Sequence, residues 1–205
     1  IHLPTLAAEN ELTLEIEGIY SNTGEGLHRF VDPADNEVYL YTQFETGDAR
    51  QMYACFDQPD QKATFTISTI TPKHWEVISN YSIESTKELD GDKKFTQFAE
   101  SQVISTYVTA IVAGAYTSVH DEYKGEKTIP LGIYARKSFF KHVDAENIFK
   151  VTKEGFAYFE KTFGLAYPFD KYDQIAVVDF NFGAMENAGA VTFREDLLVF
   201  RSHMP

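Results

Sequence analysis

Hydrophobic and polar residues alternate with a period of two along several stretches in the first two thirds of the chain. The alternation is present in Leu12–Ile16 and in Glu37–Phe44, and it is clearest in Lys62–Ile70, where Phe65 and Ile67 share one face. Because successive side chains of a strand point to opposite faces of a sheet, each stretch is predicted to be a β-strand.

Three further features extend the β pattern toward residue 135. The pair Asp90-Gly91 is typical of a hairpin turn, because these residues tolerate positive φ. Thr106–Val119 is β-branched and apolar, which predicts a buried strand with Gly114 at a close contact or bulge. Lys127–Ala135 is predicted to be one more strand, and Pro130 places it at a sheet edge.

The pattern changes near Ser138, where a helical period replaces the alternation. Apolar residues recur at helical spacing from Asp144 to Phe163, Asp144 suits an N-cap, and Gly164 suits the end of the helix. Gln174–Asp179 is a short apolar run that predicts a strand. The fold class predicted is therefore a mainly β N-terminal domain with antiparallel sheets over residues 1–137, followed by the first part of an α+β domain over residues 138–205.

Composition excludes some classes of protein and disfavours others. The chain is 43% hydrophobic and 24% charged, which argues against disorder. Its net charge of −13 disfavours binding to nucleic acid or to an anionic membrane. The single cysteine, Cys55, permits no intrachain disulfide and fits a reducing compartment, and no apolar run approaches the length of about 20 residues that spans a bilayer. We therefore predict a cytoplasmic protein without nucleic acid or membrane partners.

The sequence contains no local pattern for catalysis. The six histidines, at positions 2, 28, 74, 120, 142 and 203, include no pair one helical turn apart, so no metal site is predicted within the chain. There is neither a Gly-x-Ser-x-Gly elbow nor a glycine-rich phosphate loop. Cys55 lies among Tyr53, Ala54 and Phe56, which favours a buried hydrophobic role over a nucleophilic one. No catalytic residue is therefore predicted.

One loop after the Gln174–Asp179 strand carries an unusual carboxylate. The sequence Gly183-Ala184-Met185-Glu186-Asn187 sets a lone glutamate among small and apolar residues, where burial is costly unless a cation or hydrogen-bond donors meet it. The residues alone leave open whether Glu186 binds a cation or is an ordinary exposed glutamate.

This stretch resembles the Gly-x-Met-Glu-Asn motif of the aminopeptidase N family of zinc metallopeptidases. The flanking residues also resemble that family, with Tyr167-Pro168 and Lys171-Tyr172-Asp173 before the motif and Thr192-Phe193-Arg194-Glu195 after it. The resemblance implies that residues 183–187 lie on an edge strand beside the active site. It also implies that Glu186 binds the free α-amine of the substrate and that the backbone near Ala184 meets the peptide main chain. Ala188 departs from the pattern, because many members carry Trp there.

A second similarity lies in the predicted β domain. The segments Tyr41–Arg50 and Tyr53–Ala63 resemble the family's Thr-Gln-Phe-Glu and Cys-Phe-Asp-x-Pro segments, and Gly24–Phe30 resembles a segment of actinobacterial members. The resemblance implies that Glu45 is the second carboxylate around the α-amine and that Gln43 lines the first specificity pocket. An ordinary surface role for Glu45 remains the alternative.

The resemblance also implies what lies outside this sequence. In the family, a thermolysin-like catalytic domain holds one Zn²⁺ through a His-Glu-x-x-His helix, which we expect beyond Arg201, and the first strands of the β domain are expected before Ile1. The chain is thus expected to be an inactive part of an aminopeptidase that removes N-terminal residues. Its expected partners are peptides with a free N-terminus and the remainder of its own catalytic domain. The main alternative is a non-catalytic peptide-binding or interaction module of the same fold, and an epoxide hydrolase of the same fold is disfavoured by the Thr-Gln-Phe-Glu segment.

Overall fold

The computed structural model describes residues 5–199, which form twelve β-strands and two α-helices. The strands are β1 Gly26–Val31, β2 Val38–Gln43, β3 Ser68–Pro72, β4 Glu76–Ser79, β5 Ile83–Leu89, β6 Lys93–Phe98, β7 Ile111–Gly114, β8 Tyr116–Lys124, β9 Thr128–Arg136, β10 Tyr172–Val177, β11 Ala184–Met185 and β12 Ala190–Arg194. The helices are α1 Lys137–Phe140 and α2 Ala145–Phe163. No helix within residues 5–199 combines the length and the apolar character that a membrane crossing requires.

Two antiparallel sheets are built from the first 114 residues. The four-stranded sheet has the order β1-β2-β7-β4 and the three-stranded sheet has the order β3-β6-β5. β5 and β6 form the predicted hairpin, in which Gly91 and Asp92 have φ of 75° and 57°. The sequence-based expectation of a turn at this position is confirmed.

The third sheet contains both parallel and antiparallel strands. Its order is β11-β12-β10-β9-β8; β10 runs parallel to β9 and β12, while β8 and β11 are antiparallel to their neighbours. The predicted fold class is confirmed, because antiparallel sheets precede a mixed sheet with a helix. β9 ends at Arg136 and pairs with β10, so this mixed sheet contains strands from both sides of residue 137. The domain boundary near residue 137 stays a prediction.

Helix α2 has the ends that the sequence predicts. The Asp144 Oδ1 atom accepts a hydrogen bond from the backbone N–H of Asn147 at 3.2 Å, which satisfies one of the free donors of the first turn. Gly164 has φ 64° and donates its N–H to the carbonyl of Glu160, which ends the helix in the left-handed region that glycine adopts without a Cβ clash.

Two strand predictions are wrong, one altogether and one in its extent. Leu12–Ile16 forms no strand, and its apolar side chains are exposed because no strand of the described residues pairs with it. In Lys62–Ile70 only the last three residues enter a strand, β3, while Ala63 makes a single bridge to Ile104. Alternation gives a segment the pattern of a strand, but a strand also requires a hydrogen-bonding neighbour.

The region from Thr106 to Ala135 also differs from its prediction. Thr106–Val108 is a 3-10 turn, and the following residues divide at Ala115 between β7 and β8, which belong to different sheets. Gly114 does lie at a close contact, because a Cβ there would be 2.6 Å from the Val38 carbonyl oxygen. The strand with Pro130 is internal rather than at an edge, but β10 pairs only with Leu131–Tyr134, so the missing N–H of Pro130 breaks no bond to β10.

The four-stranded and mixed sheets share one buried cluster. The four-stranded sheet contributes Tyr39, Tyr41, Ile78 and Val112, and the mixed sheet contributes Ile175, Val177, Met185 and Ala190. Burial of large side chains contributes roughly 1.5–3 kcal/mol each, so this cluster fixes the two sheets against one another. We call it the inter-sheet cluster.

Candidate functional site

The segment from residue 179 to residue 189 leads from β10 back into β12, and we call it the motif loop. Its first residue, Asp179, has φ 52°, which is uncommon for a residue other than glycine. Within the loop, β11 pairs with β12 through Ala184 opposite Phe193 and Met185 opposite Thr192. The Gly183 carbonyl accepts a hydrogen bond from the Arg194 N–H at 2.9 Å. The motif is therefore held to the sheet as its edge strand.

Side chains of the motif alternate between solvent and core. Ala184 and Glu186 are exposed, whereas Met185 is 1% exposed and belongs to the inter-sheet cluster. Asn187 is 2% exposed, its Nδ2 atom donates to the Ala190 carbonyl at 3.3 Å, and its own carbonyl accepts from the Ala190 N–H. Met185 and Asn187 thus fix the backbone on either side of Glu186 and leave its carboxylate in solvent.

Both ends of the motif loop are hydrogen-bonded to the β domain. The first end is bonded to β2 of the four-stranded sheet, and the second end is bonded to Asn80, which directly follows β4. At the first end, the Tyr41 hydroxyl donates to the Asp179 carbonyl at 3.1 Å, and the Tyr41 ring meets Phe180 edge-on. At the second end, the Asn80 Nδ2 atom donates to the Ala188 carbonyl at 2.9 Å. A Cβ at Gly189 would lie 2.2 Å from the Asn80 carbonyl oxygen, so only glycine allows this approach.

Gln43 and Glu45 lie at and just beyond the end of β2. By the period of two, Gln43 shares its face with Tyr39 and Tyr41, which face the mixed sheet. Gln43 is 1% exposed, and neither its Oε1 nor its Nε2 atom has a hydrogen-bond partner among the residues that the structure describes. A buried amide without partners costs about 1–3 kcal/mol, so this side chain is a polar group available for a ligand. Glu45 is exposed.

The structure brings the two predicted substrate-binding segments to one cluster. Tyr41 of β2 and Met185 of the motif loop both belong to the inter-sheet cluster. Glu45 follows Tyr41 by four residues, and an extended chain advances at most about 3.6 Å per residue, so their Cα atoms lie within about 14 Å. Glu186 directly follows Met185. Within residues 5–199 neither glutamate has a hydrogen-bond or ion-pair partner.

Three residues that shape this site were missed as site residues in the sequence analysis. Asn80 accepts the Ala110 N–H and donates to two carbonyls, those of Val108 and Ala188. The buried Lys171 ammonium contacts Asp173 at 2.6 Å and the Gly189 carbonyl at 2.9 Å. His28, 2% exposed, lies 4.0 Å from the Asp179 carboxylate. Polar residues inside apolar stretches were the available signal, but their partners are remote in sequence.

Cys55 does not have the properties of a nucleophile. Its side chain is only partly buried, which corrects the sequence-based expectation of a buried position. Burial and the nearby Asp57 carboxylate raise the pKa of the thiol above its ordinary value, while Arg50 opposes them. The thiol is therefore protonated at neutral pH, and a thiolate is the reactive form.

The described residues do not fit a zinc site. No group of three or more His, Cys, Asp or Glu side chains converges anywhere in residues 5–199. His2 and His203 lie outside the described residues. His74 contacts Glu37, and His120 contacts Ser118, so these rings make ordinary surface contacts. We therefore assign no metal ligand within this part of the chain.

Two family models match the chain on either side of its middle. Residues 1–108 match the peptidase M1 N-terminal domain, and residues 148–204 match the peptidase family M1 domain. The first match alone covers more than half of the 205 residues.

Individual relatives carry aminopeptidase names. The chain is 52% identical to aminopeptidase N of Streptomyces lividans over 96% of its own length and 22% of the relative. It is 36% identical to glutamyl aminopeptidase of Rattus norvegicus over 92% of its length, and 33% identical to aminopeptidase N of the same organism over 93%. The chain spans about a fifth of the length of these relatives. The sequence-based resemblance to actinobacterial aminopeptidases N is confirmed, and the chain belongs to the M1 family of peptidases.

Proposed function

We propose that this chain carries the substrate-amine anchor of a zinc aminopeptidase, and that the longer protein removes N-terminal amino acids from peptides. Glu45 and Glu186 bind the protonated α-amine of the first residue. The observation that carries this proposal is that Tyr41 and Met185 pack in the same inter-sheet cluster. Glu45 follows Tyr41 by four residues, and Glu186 directly follows Met185. Each of these two segments carries an exposed carboxylate for which the part of the chain that the structure describes provides no hydrogen-bond or ion-pair partner.

The chemistry follows from charge. A charge-assisted hydrogen bond contributes about 1.5–3 kcal/mol, and two of them on one ammonium fix its position relative to the first peptide bond. A peptide with a blocked amine brings no cation, so the two carboxylates would repel one another and lose water without compensation. The anchor therefore selects the free N-terminus.

The remaining motif residues and Gln43 receive supporting roles. β11 is an edge strand, and the exposed Gly183 and Ala184 leave room for a peptide main chain to lie alongside, as in β-strand addition. Met185 and Asn187 hold the backbone that presents Glu186. The amide of Gln43, which has no hydrogen-bond partner within the described range, supports a role in binding polar atoms of the first residue.

Zinc belongs to the proposal only through the family. The ion would polarise the scissile carbonyl and activate a water when bound. Residues 5–199 supply no ligand set for it, so we propose that this chain alone does not hydrolyse peptides.

The surface of α2 supports the proposed partner, the remainder of the catalytic domain. A groove of about 540 Å³ lies along the helix, and Phe159, Phe163 and Leu165 beside it are 54%, 72% and 69% exposed. Apolar side chains in such a contiguous group usually meet another protein surface. The relatives are about five times as long as the region matched here, and the second family match begins at this helix. We propose that further chain of the same protein covers the groove.

The anchor is tested directly by NMR titration of the chain with leucinamide and with N-acetyl-leucinamide. We expect leucinamide to bind with a millimolar Kd, because two hydrogen bonds must offset the entropy of association. Its resonance shifts should include Glu45 and Glu186, and Glu45→Gln and Glu186→Gln should each abolish binding. Glu84→Gln, at an exposed carboxylate of β5, is the matched control.

Two outcomes would contradict the amine anchor or favour the non-catalytic module. Equal binding of leucinamide and N-acetyl-leucinamide would contradict the proposed amine anchor. If leucinamide binds but the longer protein hydrolyses no aminoacyl substrate, the non-catalytic peptide-binding module is the better description.

A further inference from the structure

The residues that precede β1 fold back onto His28, which lies in that strand. The Ser21 N–H donates to the Leu27 carbonyl and the Arg29 N–H donates to the Ser21 carbonyl, both at 2.8 Å. Gly24 has φ 85°, and its N–H donates to His28 Nδ1 at 3.0 Å. We call residues 21–28 the histidine loop.

The histidine loop contacts the first turn of the motif loop, more than 150 residues away in sequence. The Asn181 Nδ2 atom donates to the Thr23 carbonyl at 2.8 Å. A Cβ at Gly24 would lie 2.7 Å from Asn181 Nδ2 and 3.0 Å from the Asp179 carbonyl oxygen. The glycine therefore permits an approach that a side chain would prevent.

The hydrogen bond from Gly24 determines the tautomer of His28. Because Nδ1 accepts an N–H, the proton of the neutral ring is on Nε2. The buried Nε2 atom has no hydrogen-bond partner among the described residues, and the Asp179 carboxylate lies 4.0 Å from it. The ring itself packs on Tyr41, whose hydroxyl donates to the Asp179 carbonyl.

We propose that His28 is a positioning residue for the motif loop. Its neutral ring, oriented by Gly24, directs Nε2–H toward Asp179 and holds the turn from which the loop leaves β10. Asp179 has positive φ, so its conformation depends on such contacts. The consequence for Glu186 rests on the proposed amine anchor, whereas the effect on the loop does not.

The test uses NMR of the 205-residue chain and requires no catalysis. His28→Phe keeps a ring against Tyr41 and removes both ring nitrogens. His28→Asn places an amide oxygen near the position that Nδ1 occupies in the wild type, so the Gly24 N–H keeps an acceptor. We expect His28→Phe to shift the amide resonances of residues 179–186 and to speed hydrogen exchange of the Gly24 amide. His28→Asn should shift the same motif-loop resonances while it leaves the Gly24 amide protected.

A second set of measurements covers the case in which His28→Phe does not fold. In the wild-type chain, the ¹⁵N shifts of His28 should show Nδ1 unprotonated and Nε2 protonated. Asp179→Asn, which tolerates positive φ, should shift the His28 ring resonances. A protonated Nδ1 in neutral His28 would overturn the proposal. So would resonance shifts that stay within the histidine loop for the His28 variants and within the motif loop for Asp179→Asn.

The Kd of leucinamide separates this inference from the proposed function. If His28 positions Glu186, His28→Phe should raise that Kd about two- to tenfold, the range of one hydrogen bond. Failure of the wild-type chain to bind leucinamide contradicts the amine anchor, and the motif-loop shifts then still decide the role of His28.

Discussion

The Tyr41 hydroxyl donates a hydrogen bond to the main-chain carbonyl of Asp179 at 3.1 Å, across 138 residues of sequence. This bond joins β2, which leads to Glu45, to the start of the motif loop, which carries Glu186. Burial raises the pKa of Tyr41 well above its ordinary value, and the Asp179 carboxylate adds to the effect. The phenol therefore remains a donor at any physiological pH.

Tyr41→Phe tests the contribution of that bond. The ring still packs against Phe180 and His28, but the Asp179 carbonyl loses its donor. We expect the free energy of unfolding to fall by about 0.5–1.5 kcal/mol, as measured by urea denaturation. Tyr158→Phe, at a side chain that is 64% exposed, should change it by less than about 0.5 kcal/mol. Equal effects of the two substitutions would contradict a role for this bond.

Met185→Ala tests whether the inter-sheet cluster holds the motif loop. Removal of a fully buried methionine side chain should cost about 2–5 kcal/mol of unfolding free energy, through lost burial and the cavity left behind. Leu197→Ala, at a side chain that is 50% exposed, is the control and should cost far less. A small effect of Met185→Ala would mean that the loop is held by its backbone contacts alone.

Gly189→Ala measures the close approach of the motif loop to Asn80. Alanine there would bring both a left-handed backbone conformation and a Cβ 2.2 Å from the Asn80 carbonyl oxygen. Gly164 has nearly the same φ, but a Cβ there would meet no atom of residues 5–199 within 4 Å, so Gly164→Ala should cost only the backbone strain of about 1–2 kcal/mol. We expect Gly189→Ala to destabilise the chain clearly more in thermal or urea unfolding. Equal costs would show that the loop moves freely away from Asn80.

The stability of the chain should depend on pH through His28. Burial lowers the pKa of His28 below its ordinary value of 6.5, and Asp179 on the motif loop partly opposes this. Among residues 5–199, Asp179 is the charged side chain that acts on the ring, at 4.0 Å from Nε2, while Tyr41 on β2 packs on it as a neutral phenol. The unfolded chain therefore binds the proton more readily than the folded one, and stability is lost as pH falls below 6.5 through the lowered pKa.

The measurement is the urea midpoint of the wild-type chain and of His28→Phe between pH 8 and pH 5. The wild-type midpoint should fall with pH more steeply than that of the variant, because the variant lacks the titrating ring. His142→Phe, at a solvent-accessible histidine, is the control and should retain the wild-type slope. Parallel curves for the wild type and His28→Phe would exclude His28 as the source.

Local sequence patterns correctly predicted the elements whose conformation depends on residues adjacent in sequence. The ends of α2 followed from Asp144 and Gly164, and the β5–β6 hairpin followed from Asp90-Gly91, because caps and turns are set by the conformational preferences of a few adjacent residues. The Gly183–Asn187 motif was recognised by its residues alone, and the family that it indicated is confirmed.

The sequence by itself determined the mainly β fold class, the helix α2 and the family. Only the tertiary structure decided that Leu12–Ile16 lacks a strand partner, that the chain changes sheets at Ala115, and that His28, Asn80 and Lys171 contact the motif loop. The physical reason is the range of the interactions. Periodicity and capping act over a few residues, whereas a strand pair or a buried polar contact needs a partner whose position depends on how the rest of the chain packs.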